Sequence, residues 1–437
     1  MLRMTFAGIF KTYISIGKPQ GIMIRKLDTY LKKLFITLRF SIQYPVICLE
    51  KSDILFIAHS YSNFQKESIN STSKYFNKCS VLVEYNPITK ISEYINISYL
   101  KQFNLNYKID LVDAPPNVNV WPTPILYAPL DSQYKKIGEK HLKAVENKIH
   151  KNNINFNLVH AHFTWSAGYV GAKLKERYGV PFVVTAHGYD IYLLPFKDNE
   201  WKNKIEYVLN SADHIITVSN SNADCIKKLN TNVPVTVIPN GYRSNLFYPI
   251  DTLKCRKFLR LPLDKKIILA VGNLVEVKGH KYLIESIKRI IGSRKDIQCY
   301  IIGWGKLQRK LKKQIAAAGI QDYVKLLGGK PHNEIPLWMN ACDVFVLPSL
   351  RESFGVVQIE ALATGKPVVA TFNGGSEEII VSEDYGLLVN PGNSYELARN
   401  IEVALNKEWD TEKILTYAQK YQWENISKQI QEIYQKI

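Results

Sequence analysis

From Asp53 onward, short runs of apolar residues alternate with longer stretches in which apolar positions recur at helical spacing. The short runs in the first half of the chain are apolar throughout, which is typical of strands that are buried on both faces. A parallel sheet covered by helices on both sides buries its strands in this way. We therefore predict a first parallel sheet with strands at Ile54–Ala58, Ser80–Tyr85, Asn157–Ala161, Pro181–Ala186 and His214–Ser219.

Turn-forming residues interrupt this alternation between residues 239 and 266, where Pro239, Asn240-Gly241, Pro249 and Pro262 are concentrated. The alternation then restarts and predicts five further strands, at Ile267–Gly272, Gln298–Ile302, Val324–Leu327, Asp343–Leu347 and Pro367–Thr371. Two successive series of this kind predict an α/β protein with two doubly wound, Rossmann-like domains that face a central cleft. We expect the first domain at residues 53–240 and the second at 241–410.

The two ends of the chain lie outside this alternation. The first 50 residues contain eight Lys or Arg but only Asp28 and Glu50 as acidic residues, and apolar residues between Ile24 and Leu38 fall on one helical face. We expect residues 1–52 to be a basic extension that can lie on an anionic membrane surface, with a loosely packed extension as the alternative. The tail, residues 411–437, carries apolar side chains at near-helical spacing and predicts helices.

Composition narrows the class of protein. The chain has 437 residues, 46% of them hydrophobic and 22% charged, which excludes wholesale disorder and favours two domains. Its 57 Lys and Arg exceed its 39 Asp and Glu and leave a formal charge of +18, which favours anionic partners or reflects solubility alone.

The six cysteines are scattered without a Cys-x-x-Cys motif, as expected of buried thiols in a reducing cytosol. No run of 18 apolar residues suggests a transmembrane helix, so we expect a cytoplasmic protein that can also bind the inner face of the membrane peripherally.

Ligands of parallel sheets bind beyond the carboxyl ends of the strands, so the residues there are the candidates for chemistry. After the strand at Asp343–Leu347, Gly355 opens a helix whose free amides at Gly355, Val356 and Val357 can bind an anion. Glu360 lies five residues further along, roughly 7.5 Å along the helix axis, which suits the distance from a phosphate to a ribose diol. Glu352 precedes the helix and can reach the other side of the phosphate. The alternative is that both glutamates are solvated surface groups.

Three other strand ends carry weaker signals. Lys278 follows the first strand of the second domain and suits an anion, although an ordinary lysine at a helix start would look the same. Gly303 and Gly305 allow a ligand to approach the backbone closely, as would a simple tight turn. His187 follows a first-domain strand and is predicted to face the cleft, with a buried core histidine as the alternative. His160 and His162 have no third ligand at suitable spacing, so we predict no metal site and interpret both as packing or acceptor-side residues.

Taken together, these motifs resemble those of the retaining glycosyltransferases of family 4, which have the two-domain GT-B fold, and among these the enzymes that build bacterial surface polysaccharides. The matching segments occur in the order typical of the family and span residues 185–360: Thr185–Asp190, Val218-Ser219, Val237–Gly241, Phe247–Pro249, Val271–Gly279, Gly303–Gly305, Leu327-Gly328 and Glu352–Glu360. The resemblance also implies that the C-terminal helices, residues 411–437, cross back to the first domain.

The resemblance implies a role for each matching position. Glu360 would hold the ribose, Glu352 would bind the transferred sugar, and Lys278 would neutralise the diphosphate. His187 would contact the sugar from the first domain. The remaining predicted substrate-binding residues are Asn273, Gly303, Gly305, Leu327, Gly328, Phe354, Gly355, Val356 and Val357; of these, the Leu327-Gly328 loop would lie by the base.

Two positions depart from the family pattern. The family usually has Arg where this chain has Asn273, so a bidentate phosphate contact is lost and Lys278, or another cation such as Lys306, would have to replace it. The family also often has a Gly-rich loop after its first strand, whereas this chain contains no glycine from Lys51 to Ile137. These departures put the first-domain contacts to donor and acceptor in question.

The sequence thus predicts transfer of a sugar from a nucleoside-diphosphate sugar to an acceptor hydroxyl on a glycan or lipid-linked acceptor, with retention of configuration, without a metal and without a bound cofactor. A GT-B nucleotide-sugar epimerase is the alternative that keeps the fold. A nucleic-acid-binding protein is a remote alternative, and we expect no nucleic-acid partner because the lysines are spread along the whole chain. A dinucleotide-dependent oxidoreductase is disfavoured because no Gly-x-Gly-x-x-Gly motif follows any predicted strand.

Overall fold

The computed structural model describes residues 49–90, 105–128 and 130–437. The basic extension expected at residues 1–52 therefore lies almost entirely outside the described residues. The described part of the chain contains a seven-stranded and a six-stranded sheet, both parallel throughout. Both sheets belong to one compact unit, Cys48–Ile437. The predicted α/β fold with two Rossmann-like domains is confirmed.

The first sheet has the strand order β3-β2-β1-β4-β5-β6-β7. Its strands are β1 (Asp53–Ala58), β2 (Lys78–Tyr85), β3 (Val118–Pro124), β4 (Leu158–His162), β5 (Phe182–Ala186), β6 (His214–Thr217) and β7 (Val235–Val237). The helices of this domain are α1 (Asn63–Ser73), α2 (Leu105–Lys108), α3 (Asp131–Tyr134), α4 (Ile137–Lys151), α5 (Tyr169–Tyr178), α6 (Tyr189–Tyr192), α7 (Asn199–Ser211) and α8 (Asn220–Lys227).

The second sheet has the order β10-β9-β8-β11-β12-β13. Its strands are β8 (Lys266–Val271), β9 (Ile297–Ile302), β10 (Val324–Gly328), β11 (Val344–Leu347), β12 (Val368–Thr371) and β13 (Gly386–Val389). The helices that follow the first domain are α9 (Thr252–Phe258), α10 (His280–Ile290), α11 (Gln308–Ala317), α12 (Ile335–Ala341), α13 (Val356–Ala363), α14 (Ser376–Ile379), α15 (Ser394–Asn406), α16 (Thr411–Ala418) and α17 (Trp423–Lys436).

The strand order of each sheet reverses beside its first strand, between β1 and β4 in one domain and between β8 and β11 in the other. Such a reversal opens a crevice at the carboxyl edge of the sheet, because the connections on its two sides lead to opposite faces. Lys278 and Glu352 follow β8 and β11, so the fold brings these two distant parts of the chain to one crevice.

Three strands were missed by the apolar pattern, and all three lie at the edge of a sheet. Strand β3 contains Pro122 and Pro124, which an edge strand tolerates because it needs no hydrogen bonds on its outer side. Strands β7 and β13 have only three and four residues. An apolar run is a signal of burial on two faces, so it is weak where a strand has only one neighbour.

The chain crosses between the domains at two adjacent places. The Tyr242 amide donates to the Tyr421 carbonyl at 2.9 Å, and the Trp423 amide donates to the Tyr242 carbonyl at 3.2 Å. A Cβ atom at Gly241 would lie 2.7 Å from the Trp423 ring, so a glycine is required for this close approach. After the crossing, α17 packs on α1 of the first domain, and the Tyr434 hydroxyl forms a 2.6 Å hydrogen bond with His160 Nδ1.

Candidate active site

The carboxyl edges of the two sheets approach each other across the cleft. A Cβ atom at Gly188, which follows β5, would lie 2.2 Å from Ser353 Oγ, which follows β11. Beside this contact, the Arg351 guanidinium lies over the Tyr192 ring at 4.0 Å from its centroid. The predicted sugar contact His187 and the predicted sugar-binding loop at Glu352 therefore lie on opposite walls of one site.

Lys278 and Glu352 form an ion pair at the base of this site, with 2.5 Å between Lys278 Nζ and Glu352 Oε1. The Ser349 hydroxyl donates to the same oxygen at 2.7 Å. Gly279, at φ +64°, passes so close to Pro348 that a Cβ atom would lie 1.9 Å from the Pro348 carbonyl oxygen. This contact holds Lys278 next to the loop that follows β11, where its ammonium can neutralise a bound anion.

Helix α13 begins beside this ion pair. Gly355 is its N-terminal cap at φ +85°, and Val356 and Val357 line a cavity of about 210 Å³ together with Glu360. Glu360 is buried, and its Oε1 lies 3.1 Å from His332 Nε2. Both predicted carboxylates and the predicted amide site therefore lie along one wall of the cleft.

His332 was not singled out by the sequence pattern, although it lies shortly after β10. Burial opposes its protonation, but the hydrogen bond and the charge of Glu360 raise the pKa of His332 above its usual value. Two charged residues face it across the cleft: Glu67 on α1 and Arg243 in the interdomain linker, which are 3.5 Å apart. A ligand that forms hydrogen bonds with the Glu360 carboxylate must therefore displace the His332 imidazole or bind beside it.

A second cavity, of about 670 Å³, adjoins the first because His332 lines both. Asn273, Gly303 and Trp304 line it on the second-domain side, and Asn63 and Tyr107 of the first domain face them. The lining also includes residues 329–332, which follow the Leu327-Gly328 pair, but not that pair itself. The predicted contact of Leu327 and Gly328 with a base stays a prediction, and the residues directly after them now have the better position for it.

Backbone packing explains the two glycines around Trp304. A Cβ atom at Gly303 would lie 1.9 Å from the Gly272 carbonyl oxygen, and one at Gly305 would lie 2.5 Å from the Leu274 carbonyl oxygen. Both glycines thus allow the loops after β8 and β9 to pack together, whether or not a ligand also touches them.

Phe354 is placed differently from the other predicted substrate-binding residues. Its side chain is buried in the core of the second domain and meets the Tyr421 ring edge-on at 5.8 Å between centroids. The side chain therefore anchors the loop before α13 and does not line either cavity.

On the first-domain wall, His187 is buried and its Nε2 lies 2.9 Å from Nδ1 of His162. Burial, together with neighbouring His162 and His59, lowers the pKa of His187 well below its usual value, so the ring is neutral at pH 7. The Asp190 carboxylate accepts hydrogen bonds from the amides of His187 and Gly188 and fixes this turn. His162, which the sequence suggested only as a packing or acceptor-side residue, is the group that orients the imidazole of His187.

The sequence pattern also gave no sign of a buried polar cluster around Glu84, at the end of β2. Glu84 lies 3.8 Å from His59, 3.9 Å from Lys108 and 3.7 Å from His141, and Ser166 donates to it at 3.1 Å. Burial opposes the ionisation of Glu84, but the neighbouring His59, Lys108 and His141 and the hydrogen bond from Ser166 lower its pKa to about 2. The cluster lies at the carboxyl edge of the first sheet, and its member His59 directly follows β1, where the family pattern often has a Gly-rich loop that this chain lacks.

We also searched the structure for metal-binding groups and membrane-spanning helices. Within residues 49–90, 105–128 and 130–437, no group of three His, Cys, Asp or Glu side chains is arranged to hold a metal ion. In the same part of the chain, no helix combines the length and the apolar character needed to cross a membrane.

Known protein families and individual proteins with similar sequences are glycosyltransferases. The model of the glycosyl transferases group 1 matches residues 251–421, and that of glycosyltransferase family 4 matches residues 108–245. An uncharacterized glycosyltransferase of Methanocaldococcus jannaschii is 31% identical over 300 residues, which cover 66% of this chain and 79% of the relative. A putative teichuronic acid biosynthesis glycosyltransferase of Bacillus subtilis, TuaC, is 30% identical over 270 residues, covering 61% of this chain and 65% of the relative.

Among solved structures, Anabaena HepE in complex with UDP superposes with a TM-score of 0.68 at 24% identity, over 88% of this chain and the whole of HepE. This likeness confirms the fold that the sheet order shows. The chain is therefore a glycosyltransferase with the GT-B fold and belongs to family 4.

Proposed function

We propose that this enzyme transfers a hexosyl unit from a nucleoside-diphosphate sugar to an acceptor hydroxyl, with retention of anomeric configuration and without a metal ion. The observation that carries this proposal is the convergence of Lys278, Glu352 and Glu360 on the start of α13, directly opposite His187. A cation, free helix amides and two carboxylates in this order match a diphosphate placed between a ribose and a sugar.

The nucleotide is assigned to the two adjoining cavities. Glu360 would accept hydrogen bonds from the ribose hydroxyls, and the larger cavity beside Trp304 has room for the base. HepE, which has the same fold, binds UDP, so a uridine nucleotide is the first to test.

The leaving group is assigned to Lys278 and to the amides at Gly355, Val356 and Val357. As the bond between the anomeric carbon and the diphosphate oxygen breaks, negative charge develops on that oxygen, and preorganised positive groups stabilise it. The acceptor oxygen would form its bond on the same face of the sugar and pass its proton to the leaving phosphate oxygen. This route preserves the configuration and requires neither a metal nor a basic side chain.

The acceptor is assigned to the first domain, beside His187 and the cluster around Glu84. Because the relative TuaC is a putative teichuronic acid biosynthesis glycosyltransferase, we propose a glycan or lipid-linked acceptor of a surface polysaccharide or glycolipid. Since a GT-B epimerase would need no acceptor, a product assay with and without candidate acceptors distinguishes the two activities.

The proposal is tested by a thermal-shift screen of UDP-, GDP- and ADP-sugars with the purified protein. One of them should raise Tm with a concentration dependence that follows its Kd. Incubation of that donor with an acceptor should then release the nucleoside diphosphate. If no nucleotide sugar raises Tm and none is consumed, the proposed function is wrong.

The two carboxylates should have separable effects on the nucleotide that the screen identifies. Glu360→Ala removes the ribose contact and should weaken the free nucleoside diphosphate and the nucleotide sugar alike, by about 1.5 to 3 kcal/mol. Glu352→Ala should weaken only the nucleotide sugar, and free UDP should bind as before or more tightly because Lys278 loses its carboxylate partner. Calorimetric titration of both ligands into both variants measures this, and an equal loss of free nucleotide in the two variants would contradict the assignment.

Lys278→Ala should lower kcat by about 100-fold or more, because the developing charge on the diphosphate loses its fixed cation. Lys281→Ala is a matched control, since Lys281 lies nearby and pairs only loosely with Glu276, at 3.9 Å. Tm of both variants shows that they are folded, and steady-state rates with the identified donor give the comparison. Near-normal turnover of Lys278→Ala would refute the role of this lysine.

A further inference from the structure

Four large apolar side chains are exposed on the first domain beside the cleft. Leu126 and Leu130 are each 61% exposed, Leu193 is 47% exposed and Phe196 is 48% exposed. They belong to two connections: one leads from β3 to α3, and the other leads from α6 to α7. Single exposed apolar residues need no explanation, but a group of large ones on adjacent loops is typical of an interaction site.

Ion pairs join the second connection to α3 and to Lys135, which directly follow the first connection, so the two connections are held side by side. Lys135 Nζ lies 2.7 Å from Asp198 Oδ2, and Lys197 Nζ lies 2.5 Å from Asp131 Oδ1. The Trp201 indole nitrogen also donates to Asp131 Oδ2 at 3.2 Å. These contacts use the carboxylates of Asp131 and Asp198 internally and fix the backbone of the second connection beside α3.

Three lysines border the apolar residues without acidic partners. Lys136, Lys140 and Lys143 are exposed at the start of α4, spaced so that they share one face of the helix. Lys140 Nζ reaches the Leu126 carbonyl at 3.3 Å, which places this face directly beside the apolar group. None of the three forms an ion pair with any residue in the described part of the chain. We call the four apolar residues and these three lysines the leucine–lysine surface.

The leucine–lysine surface lies at the entrance to the acceptor side of the active site. Leu193 directly follows Tyr192, the residue whose ring lies under the Arg351 guanidinium. Tyr189 of the same short helix bonds through its hydroxyl to that of Tyr134 at 2.9 Å, which ties the other connection to the His187 turn. A partner that binds the leucine–lysine surface therefore lies next to the cleft.

We propose that the leucine–lysine surface docks on an anionic lipid bilayer and thereby brings a membrane-anchored acceptor to the cleft. Apolar side chains that enter the headgroup layer beside unpaired lysines have the chemistry of interfacial membrane binding. Lysine is depleted at protein–protein interfaces, so the same surface suits a protein partner less well. The acceptor part of this statement rests on the proposed function, whereas the docking does not.

The first test is sedimentation of the full-length protein with vesicles. Vesicles of phosphatidylcholine and phosphatidylglycerol should carry the protein down at low salt, and vesicles of phosphatidylcholine alone should do so much less. Leu130→Asp with Phe196→Asp should lower the partition coefficient by about tenfold or more. Lys136→Gln, Lys140→Gln and Lys143→Gln together should lower it by a similar factor at low salt.

A matched control pair lies on the second domain. Tyr395 and Val403 are 68% and 45% exposed on α15, where Glu396, Arg399 and Glu402 are the charged residues beside them. Tyr395→Asp with Val403→Asp removes comparable exposed apolar surface without touching the lysines and should leave sedimentation unchanged. All variants should keep the thermal shift with the identified nucleotide, so a failure of docking is distinguishable from a failure of the proposed function.

A local readout separates this surface from the basic segment at residues 1–52. An environment-sensitive fluorophore on Leu126→Cys, in a background with Cys48→Ser and Cys225→Ser, should shift its emission to the blue when anionic vesicles are added, and one on Val403→Cys should not. The unsubstituted background protein provides the labelling blank. The proposal is overturned if the label at position 126 does not respond, or if the aspartate variants sediment like the unaltered protein. It is also overturned if sedimentation velocity without lipid shows that the surface joins two copies of the chain and that Leu130→Asp with Phe196→Asp separates them.

Discussion

A protein truncated after Gln422 is expected to be unfolded or insoluble, because helix α17 completes the core of the first domain. The truncation removes six buried side chains, of which five are large and mainly apolar: Trp423, Ile426, Ile430, Ile433 and Tyr434. Each contributes about 1.5 to 3 kcal/mol when fully buried, so their sum is comparable with the whole stability of a typical domain. It also leaves His160 without its hydrogen-bond partner, the Tyr434 hydroxyl.

Graded variants make this expectation measurable even where the truncated protein cannot be purified. Ile430→Ala should lower the free energy of unfolding by about 2 to 5 kcal/mol. A protein that ends after Gln435 loses only an exposed and a half-buried residue and should keep its stability. Thermal and urea unfolding of these proteins provide the comparison. A folded, active protein without α17 would show that the helix is dispensable.

The protein is expected to lose stability steeply as the pH falls from about 7 toward 4, because burial holds seven histidines in the neutral form. Burial lowers the pKa of each of them: His59, His141, His160, His162, His187, His214 and His280. The unfolded chain takes up protons below pH 6.5 that the folded protein cannot bind, so the stability that neutral burial contributes is lost over this window. For His141, whose pKa is lowered from 6.5 to about 4, the loss amounts to about 3 kcal/mol.

Other groups modify this dependence at defined pH values. The pKa of Glu84 is lowered to about 2, so its contribution to stability is lost between pH 4.5 and pH 2, below the histidine window. Asp190 acts in the opposite direction, since burial raises its pKa to about 6 and the folded protein binds its proton first. One such group offsets only part of the effect of seven histidines.

Urea unfolding at a series of pH values measures this prediction. His141→Gln should reduce the slope of the unfolding free energy against pH between 6.5 and 4 by up to about 1.4 kcal/mol per pH unit. His150→Gln on the same helix changes an exposed side chain and should leave the slope unaltered. A free energy of unfolding that stays constant from pH 7 to pH 5 would contradict the neutral burial of these histidines.

The sequence alone was enough to predict which edge of the second sheet holds several of the candidate site residues. Lys278, Glu352 and Glu360 each lie shortly after a strand that an uninterrupted apolar run reveals, and parallel strands deliver such residues to one edge of the sheet. Phe354 shows the limit of this reasoning, because position along the chain places a residue at the edge but does not decide which way its side chain points. Its ring is in the core, whereas the neighbouring Val356 and Val357 line the cavity.

What the sequence determined by itself is therefore the class of fold, the two-domain division and the strand ends that carry candidate chemistry, because burial and helical or strand spacing are local properties of the chain. What only the tertiary structure decided are the pairings between distant segments. Examples are His332 with Glu360, His162 with His187 and Tyr434 with His160, the last of which are 274 residues apart. The local pattern around a residue shows whether it is buried but does not specify its partner, and the partner determines its protonation and its orientation in the site.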